Sequence, residues 1–449
     1  MKSYISRLSL KSTLPVSTLI LFILIALLTG TFLRISLLFI YPVIAILVIE
    51  QLKLKLIRNV IILLLLVSAG LLLSFTHGFF LRYNLMSLYH MIPFLLLLFA
   101  VPSEKSPVQL PLLEKFMTIL ALIALLNNMV GTYQFIADPT DDSFKGLVSS
   151  FSISLYVLVI LNMVLFSYYF SNYLEKKSKI QLWISIFFLF SAVMGFYGSG
   201  LAAFICAFVL SFLQLRITSI AKTLFISVFS LLLIYYLTKW LRPEALYYYE
   251  VSVQRLLQFD QQTGPRKIKS FYNYFNNYPP NTKDFLLGSG PGTFNSRSAF
   301  MVGSPSYFTK FTFFKSAEKP YYFKNYAYPL WNETNTSQAL FQDGFRNQPF
   351  SSLLAFLGEY GLLFTLAFGW ALYKYLNRLL HYDTRKQFLA ARWQAKFLVF
   401  FMLFLLCIDN YFEYPETILL ITFTLKLVHM EIIRKKENEN PAIENNLPG

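Results

Sequence analysis

The chain has 449 residues, of which 56% are hydrophobic and only 14% are charged, and its mean hydropathy is +0.53. Soluble globular proteins carry about a quarter charged residues, so this composition excludes an ordinary soluble enzyme and indicates a membrane protein. The formal net charge of +16 does not indicate nucleic-acid binding, because no basic stripe lies on a soluble domain. Both cysteines, Cys206 and Cys407, lie inside apolar runs, which excludes a disulfide framework.

Apolar runs matching the thickness of the hydrocarbon core follow one another along the chain. The first run lacks a small-residue cleavage site, so we interpret it as a retained helix. The short runs on either side of "GFYGSG" leave the number uncertain by one helix. We predict an all-α polytopic membrane protein with about 12 transmembrane helices. The predicted spans are 14–31, 34–50, 59–75, 85–101, 113–136, 147–170, 180–197, 200–215, 220–240, 350–374, 395–412 and 416–432.

The charges of the connections predict the orientation. The N terminus, the tail "IIRKKENEN" and the loops "QLKLKLIRN", "EKKSKIQ", "QLRITSIAK" and "RLLHYDTRKQFLAARWQAK" are basic and fall on one side. The opposite loops include the acidic "ADPTDD" and "NYFEYPE". Since cytoplasmic loops carry the excess of Lys and Arg, both termini are predicted to be cytoplasmic, and the basic side attracts anionic headgroups.

One connection, between Trp240 and Pro349, is far longer than an ordinary loop and falls on the external side. It separates two groups of helices, and the chain ends in a polar stretch. The predicted organisation is 1–240 for transmembrane helices 1–9, 241–348 for the large external loop, 349–433 for helices 10–12, and 434–449 for a cytoplasmic tail.

The external loop contains the stretch "FLLGSGPGTFNSRSAF", residues 285–300. ATP and dinucleotides are cytoplasmic, and the glycine spacing fits neither a P-loop nor a dinucleotide fold, so both nucleotide interpretations fail. Two interpretations stay open. Glycine and proline cluster in ordinary turns for steric reasons, and successive backbone N–H groups can also form a nest for an anion.

The composition of this loop favours an anionic, sugar-containing ligand. Tyr, Phe and Trp are interleaved with Asn, Lys and Arg in "EALYYYE", "SFYNYFNNYPP" and "KPYYFKNYAYPLWNE". Such side chains suit sugar rings, although an aromatic belt at the membrane interface has the same composition. Cations outnumber acids in the loop, and arginine presents a planar fork to phosphate oxygens.

The order of three motifs resembles a known family. A loop arginine in "GPRKIKSFYNYF" is followed by "FLLGSGPGTF" and later by "NQPFSSLLAFLGEYGLLFTLAFGW", which opens the next helix. This order, over roughly residues 190–370, resembles the O-antigen polymerase and O-antigen ligase family. Phe350 and Ser351 stand where ligases carry histidine and asparagine, and Gly200 stands where arginine is usual. These departures favour the polymerase branch over the ligase branch.

The resemblance implies a glycosyltransferase in the inner membrane that joins lipid diphosphate-linked oligosaccharide repeat units on the outer face, with 241–348 as a periplasmic catalytic loop. The implied partners are a polyprenyl diphosphate-linked oligosaccharide, membrane lipids, a chain-length regulator and a flippase, with no nucleic acid. No cofactor is expected, and no metal, because the chain has no "DxD", no "HExxH" and no Cys/His cluster.

A sugar diphosphate is already activated, so the protein must supply cations for the leaving group, an orientation site and a base. Arg266 is the first candidate cation, followed by Arg346 and Arg297. Glu359, Glu333 and Glu413 are candidate bases by position, and Glu359 also fits a polar group that ties helices together. The predicted site comprises catalytic Arg266, Arg346 and Glu359 and substrate-binding Arg297, Lys267, Gly288, Gly290 and Gly292.

Two other classes are weighed against an enzyme. A transporter or flippase should show carboxylates in mid-membrane and two halves with matching broken helices. The acids inside or near the spans of this chain lie at helix ends, and its single large loop lies late in the chain. A scaffold for an envelope complex would not need so many cations and aromatic residues in one loop.

Overall fold

The computed structural model describes residues 19–21, 23–25, 27, 34–78, 80–102, 112–138, 143–144, 146–147, 155–195, 197–212, 232, 235–236, 239–240, 266–278, 281–305, 307, 312–331, 349–380 and 388–437. Within these residues the chain is helical apart from one short ladder, which confirms the predicted helical class. Helices lie at most of the predicted spans. The predicted spans 14–31 and 220–240 fall largely outside the described residues.

The helices that precede the long connection form the larger part of the bundle. They are α1 (Arg34–Gln51), α2 (Arg58–Ser74), α3 (Leu81–Phe99), α4 (Leu112–Ala137), α5 (Leu155–Lys176), α6 (Lys179–Met194) and α7 (Gly198–Phe212).

Short helices occupy the described part of the long connection, and long ones follow it. They are α8 (Arg266–Tyr272), α9 (Thr282–Leu287), α10 (Arg297–Gly303), α11 (Ser352–Ala355), α12 (Gly361–Leu380), α13 (Leu389–Ile408) and α14 (Pro415–Glu437). A π-helical segment, Phe356–Tyr360, joins α11 to α12.

Among the described residues, four helical segments are long and apolar enough to cross a membrane, so the chain is a membrane protein. Shorter apolar helices accompany them. The long segments are Leu112–Ala137, Tyr156–Lys176, Ser352–Leu380 and Leu389–Ile408. The shorter ones are Ile40–Gln51, Arg58–Ser74, Lys179–Met194 and Gly198–Phe212.

The core of the bundle surrounds α14, which is buried along nearly its whole length. It packs against α1, α3, α4, α5 and α13. One of its buried side chains is cationic: Lys426 donates hydrogen bonds to the carbonyl oxygen of Leu98 at 2.7 Å and to the hydroxyl of Tyr375 at 3.0 Å. Leu98 lies in the last turn of α3, where carbonyl groups lack helical partners, so Lys426 satisfies that helix end.

An antiparallel ladder joins two connections at one end of the bundle. Strand β1 (Leu54–Leu56) pairs with β2 (Ala100–Pro102), and Lys55 lies opposite Val101. The sequence analysis treated "QLKLKLIRN" as a plain loop, so this ladder is a departure from an all-α prediction. The alternation of Leu and Lys in this segment is the period-2 pattern of a strand with one buried face.

The long connection folds back onto the other end of the bundle. Helix α9 packs on α2 and α12, and α10 packs on α3. A hydrophobic cluster that includes Tyr83, Met86, Phe300, Phe323 and Phe350 fixes α10 against α3. The candidate site lies where this connection meets the helix ends.

Candidate functional site

The glycine turn, residues 288–296, is pressed against the bundle. Gly288, Gly290 and Gly292 have φ values of 82°, 108° and 72°, a region that favours glycine. A Cβ atom on Gly290 would lie 2.2 Å from the Cβ of Ser74 in α2, and one on Gly288 would lie 2.2 Å from the backbone oxygen of Glu359. The glycines are therefore required both by the backbone conformation and by close packing.

The N–H groups of the glycine turn bind Glu359. Its fully buried carboxylate accepts hydrogen bonds from the backbone N–H groups of Gly292 at 2.6 Å, Ser296 at 2.9 Å and Phe294 at 3.2 Å. The turn is thus an anion nest of the kind considered from the sequence, and the anion it holds is a side chain of the protein.

The backbone around Glu359 completes the same contact. The π-helical segment leaves carbonyl groups without helical partners, and the oxygens of Gly358 and Glu359 accept hydrogen bonds from the N–H groups of Ser289 and Gly290 at 2.8 and 3.0 Å. Irregular backbone near a membrane is tolerated where it is satisfied by protein in this way. The catalytic role predicted for Glu359 stays a prediction. Its observed contacts hold the glycine turn against the π-helical segment.

A second buried carboxylate lies beside the start of α10. Glu413 accepts hydrogen bonds from the backbone N–H of Ser298 at 2.8 Å, from the Ser298 hydroxyl at 2.6 Å and from the amide of Asn410. Burial and the charge of Glu359 together raise the pKa of the Glu413 carboxyl to about 8, although the hydrogen bonds from Ser298 and the charge of Arg297 act in the opposite direction.

Arg297 positions the segment that carries Glu413. Its guanidinium donates to the backbone oxygen of Glu413 at 2.7 Å and to the hydroxyl of Tyr307 at 3.0 Å, and it lies 4.3 Å from the ring centre of Tyr414. Only 1% of Arg297 is exposed. The substrate-binding role predicted for Arg297 stays a prediction, and its observed contacts are with Tyr307, Glu413 and Tyr414.

Lys267 and Asp409 form a neighbouring ion pair. The Lys267 ammonium lies 3.7 Å from the Asp409 carboxylate and donates to the backbone oxygen of Ile408, at the end of α13. Burial lowers the pKa of Lys267, and the charge of Asp409 opposes that shift. The preceding residue, Arg266, begins α8 and is only partly buried. Solvent therefore reaches Arg266, whereas Lys267 and Arg297 are buried.

Two asparagine side chains at this site carry buried oxygens that accept no hydrogen bond. Asn295 donates to the hydroxyl of Ser270 at 2.6 Å and to the backbone oxygen of Pro349 at 3.2 Å, and Asn410 donates to Glu413. Within the part of the chain that the structure describes, the Oδ1 atoms of Asn295 and Asn410 have no donor. A buried acceptor without a donor is costly, by about 1–3 kcal/mol, and suits a ligand that brings a hydroxyl group.

Tyrosines close the side of the site that faces the bundle. The hydroxyls of Tyr197 and Tyr411 are hydrogen-bonded to each other, and the hydroxyl of Tyr156, in α5, donates to Glu416. The rings of Tyr156 and Tyr414 are 5.4 Å apart. We name the group formed by Lys267, Arg297, Asp409, Asn410, Glu413 and their tyrosine neighbours the polar cluster.

The aromatic residues of the long connection pack mainly against one another. Tyr278 and Tyr322 stack at 4.6 Å, and the Tyr322 hydroxyl donates to Asp284, which also contacts His77 at 2.9 Å. Many of the aromatic residues that were considered for sugar binding therefore form a hydrophobic core within the long connection. Exposed rings remain at Phe275, Phe313 and Tyr321.

The structure brings together most of the predicted site residues. Lys267 and Arg297 lie in the polar cluster with Arg266 beside it, and Glu359 lies with the three glycines. Arg346 and Glu333 are outside the described residues. Among the described residues, no three His, Cys, Asp or Glu side chains are grouped so as to hold a metal ion.

Sequence reasoning missed Asp409 and Asn410 as members of the site. Both residues belong to the polar segment "DNYFEYPE" between two apolar runs. The sequence analysis considered only Glu413 of this acidic external loop as a candidate site residue. No family model matches the chain, and no curated protein or solved structure matches it either.

Proposed function

We propose that this protein is a polymerase of a cell-surface polysaccharide, acting on lipid diphosphate-linked oligosaccharide repeat units at the outer face of the inner membrane. In this proposal the chain crosses the membrane about twelve times, both termini are cytoplasmic, and the connection at 241–348 is periplasmic. The observation that carries the proposal is the polar cluster itself, because it combines cations, a titratable carboxyl and unpaired buried acceptors at the end of a membrane-embedded bundle.

The proposed reaction is a metal-independent displacement at a sugar carbon. An acceptor hydroxyl oxygen forms a bond to the anomeric carbon of the donor while the bond from that carbon to the diphosphate oxygen breaks. The electron pair of the broken bond leaves with the lipid diphosphate, and the hydroxyl proton passes to a carboxylate of the enzyme.

The proposal assigns roles to three residues of the polar cluster, Arg297, Asn410 and Glu413, and to the nearby Arg266, Asn295 and Ser298. Arg266, the cation that solvent reaches, binds the departing diphosphate in bidentate fashion. Glu413 in its ionised form takes the proton, and Ser298 and Arg297 fix its orientation. The free oxygens of Asn295 and Asn410 accept hydrogen bonds from sugar hydroxyls. The chain-length regulator and the flippase are proposed as partners only through the resemblance.

The test is reconstitution of the purified full-length protein in vesicles with lipid diphosphate-linked repeat units. A ladder of lipid-linked products of increasing length supports a polymerase. Transfer of a single glycan to a separate acceptor would instead identify a ligase, and movement of intact donor across the vesicle membrane would identify a transporter.

One observation bears on the transporter alternative. Lys426 is fully buried in the most enclosed helix, and buried ionisable groups in membrane proteins often serve ion coupling. Its two hydrogen bonds satisfy the end of α3 and the Tyr375 hydroxyl, so its place has a structural reason that does not require transport.

A further inference from the structure

A cavity of about 390 Å³ opens at the end of the bundle remote from the polar cluster. Helix α2 extends from Arg58, which lines this cavity, to Ser74, which packs against Gly290. At 1.5 Å per residue the two ends of α2 are about 24 Å apart. The cavity and the polar cluster therefore lie near opposite surfaces of the membrane.

The cavity is lined by basic and amide side chains from two helices. Arg58 and Asn59 come from the start of α2, and Lys374, Asn377 and Arg378 come from the last turns of α12. None of its lining residues is acidic. Its volume is within the range of small-ligand sites.

The two arginines, Arg58 and Arg378, make no hydrogen bond and no ion pair within the part of the chain that the structure describes. Basic residues near the C-terminal end of α12 would stabilise the helix dipole by themselves. That effect does not explain why a third cation, from the start of another helix, faces the same space.

The start of α2 adds to the positive potential of the cavity. The N terminus of this helix, the positive end of its dipole, lies at the cavity, and Ile57 provides no side-chain cap for it. Tyr375 is buried in the wall, and its hydroxyl accepts a hydrogen bond from Lys426 at 3.0 Å. The cavity thus concentrates positive charge at the level where helices leave the membrane.

The geometry points to a binding site for the phosphate of an anionic phospholipid headgroup in this cavity. Basic pockets between transmembrane helices take such headgroups, and the acyl chains would lie along the apolar outer faces of α2 and α12. Leu65 and Leu366 are among the exposed apolar residues on those faces. This site is independent of the proposed reaction, which occurs at the other end of the bundle.

The test compares lipid binding by the detergent-purified full-length protein, measured by native mass spectrometry. The probes are short-chain phosphatidylglycerol and phosphatidylcholine of equal acyl length. We expect the wild type to prefer phosphatidylglycerol, and Arg58→Gln and Arg378→Gln each to reduce that preference about fivefold, as expected for one cation near anionic lipid. The double variant should reduce it further.

The matched control is the double variant Lys176→Gln/Lys179→Gln, which removes two exposed cations that do not line the cavity. It should keep the wild-type preference. An equal loss in the control, or equal binding of the two lipids by the wild type, would overturn the proposal. Displacement of phosphatidylglycerol by inorganic phosphate at equal concentration would overturn the lipid assignment, since the site would then bind a free anion. If Arg58→Gln does not fold, Arg378→Gln carries the test alone, with retained phosphatidylcholine binding as its folding control.

Discussion

The glycine turn and the polar cluster lie side by side and contain the same kinds of groups, but they satisfy them differently. In the glycine turn every described donor that faces Glu359 has an acceptor, and added side chains would collide with backbone. In the polar cluster the buried Oδ1 atom of Asn410 has no donor among the described residues, and neither has the Oδ1 atom of Asn295, where the glycine turn meets the cluster. A fully satisfied arrangement stabilises one structure, whereas unpaired buried acceptors are available to a ligand.

This difference shows that the most conspicuous sequence motif is not the one that contains the unsatisfied acceptor of the polar cluster. "GSGPGTF" attracts attention because glycines are conspicuous, yet its contacts hold the long connection on the bundle. The segment "DNYFEYPE" is less conspicuous, and it contains carboxyl and amide groups of the polar cluster. The motifs of the resemblance and the polar cluster lie in the same region, and the different contacts of the two segments depend on residues that are far apart in the chain.

The largest effect should come from Glu413→Gln. If Glu413 accepts the proton of the attacking hydroxyl, its amide should lower the rate of polymer formation by about 10²–10⁴-fold. The amide oxygen of glutamine can still accept from the backbone N–H of Ser298, and its NH2 group can donate to the Ser298 hydroxyl, so the amount of inserted protein should change little. The measurement is product-ladder formation per molecule in vesicles.

A matched control for this variant is Glu431→Gln. Glu431 lies near the end of α14 and pairs with Arg434 at 2.8 Å, away from the cluster. Its removal should leave the rate per molecule within about twofold, since partly exposed ion pairs contribute little. Full activity of Glu413→Gln would remove Glu413 from the mechanism.

The next effect concerns Arg266. Arg266→Ala should slow chain growth by about 10²–10³-fold, because the departing diphosphate loses a charge-assisted contact. Arg266→Lys should recover little, since an ammonium cannot reproduce a bidentate contact. Rates per inserted molecule decide the matter, and a near-normal polymer from the alanine variant would contradict the assignment.

A change at Glu359 should separate stability from turnover. Glu359→Ala leaves three buried N–H groups without an acceptor, at about 1–3 kcal/mol each, so the folded protein should be strongly depleted. Glu359→Gln keeps one acceptor oxygen and should fold in larger amount. We expect the glutamine variant to retain its rate per folded molecule. A fall of that rate by 10²-fold or more in well-folded protein would give Glu359 the catalytic role first predicted for it.

The helices were predictable from the sequence, and the site was predictable only in part. Apolar runs predict α4 to within one residue at each end, because length and hydropathy are local properties. Helix α13 begins six residues and ends four residues before the predicted span 395–412. Helix α5 extends six residues beyond the end of the predicted span 147–170, and residues 148–154 of that span lie outside the described residues. The bond between Glu359 and the glycine turn joins positions more than sixty residues apart, and no local pattern records it. The pairing of Lys267 with Asp409 is more distant still.

A smaller effect on stability is expected at Gly290. Gly290→Ala places a side chain at a positive φ, at a cost of about 1–2 kcal/mol, and brings it against Ser74. The amount of folded protein should fall while the rate per folded molecule is kept. Gly369→Ala is the control, because nothing lies within 4 Å of a Cβ atom there. Equal yields for the two variants would show that the close approach at Gly290 is not needed.

The smallest predicted effect is a shift of the pH profile by Ser298→Ala. The proposed base must be ionised, so the rate of the wild type should rise with pH and reach half its maximum near the pKa of Glu413, about 8. The hydroxyl of Ser298 stabilises the ionised form of Glu413 and lowers its pKa, whereas the backbone N–H of Ser298 remains in the variant. Removing the hydroxyl should therefore raise the pKa and move the rising limb toward higher pH, by about one unit for a lost hydrogen bond of about 1.4 kcal/mol. Activity should fall at pH 7 and recover at high pH, which a merely structural defect would not do. A profile that drops equally at every pH would assign Ser298 to folding and leave Glu413 without its proposed support.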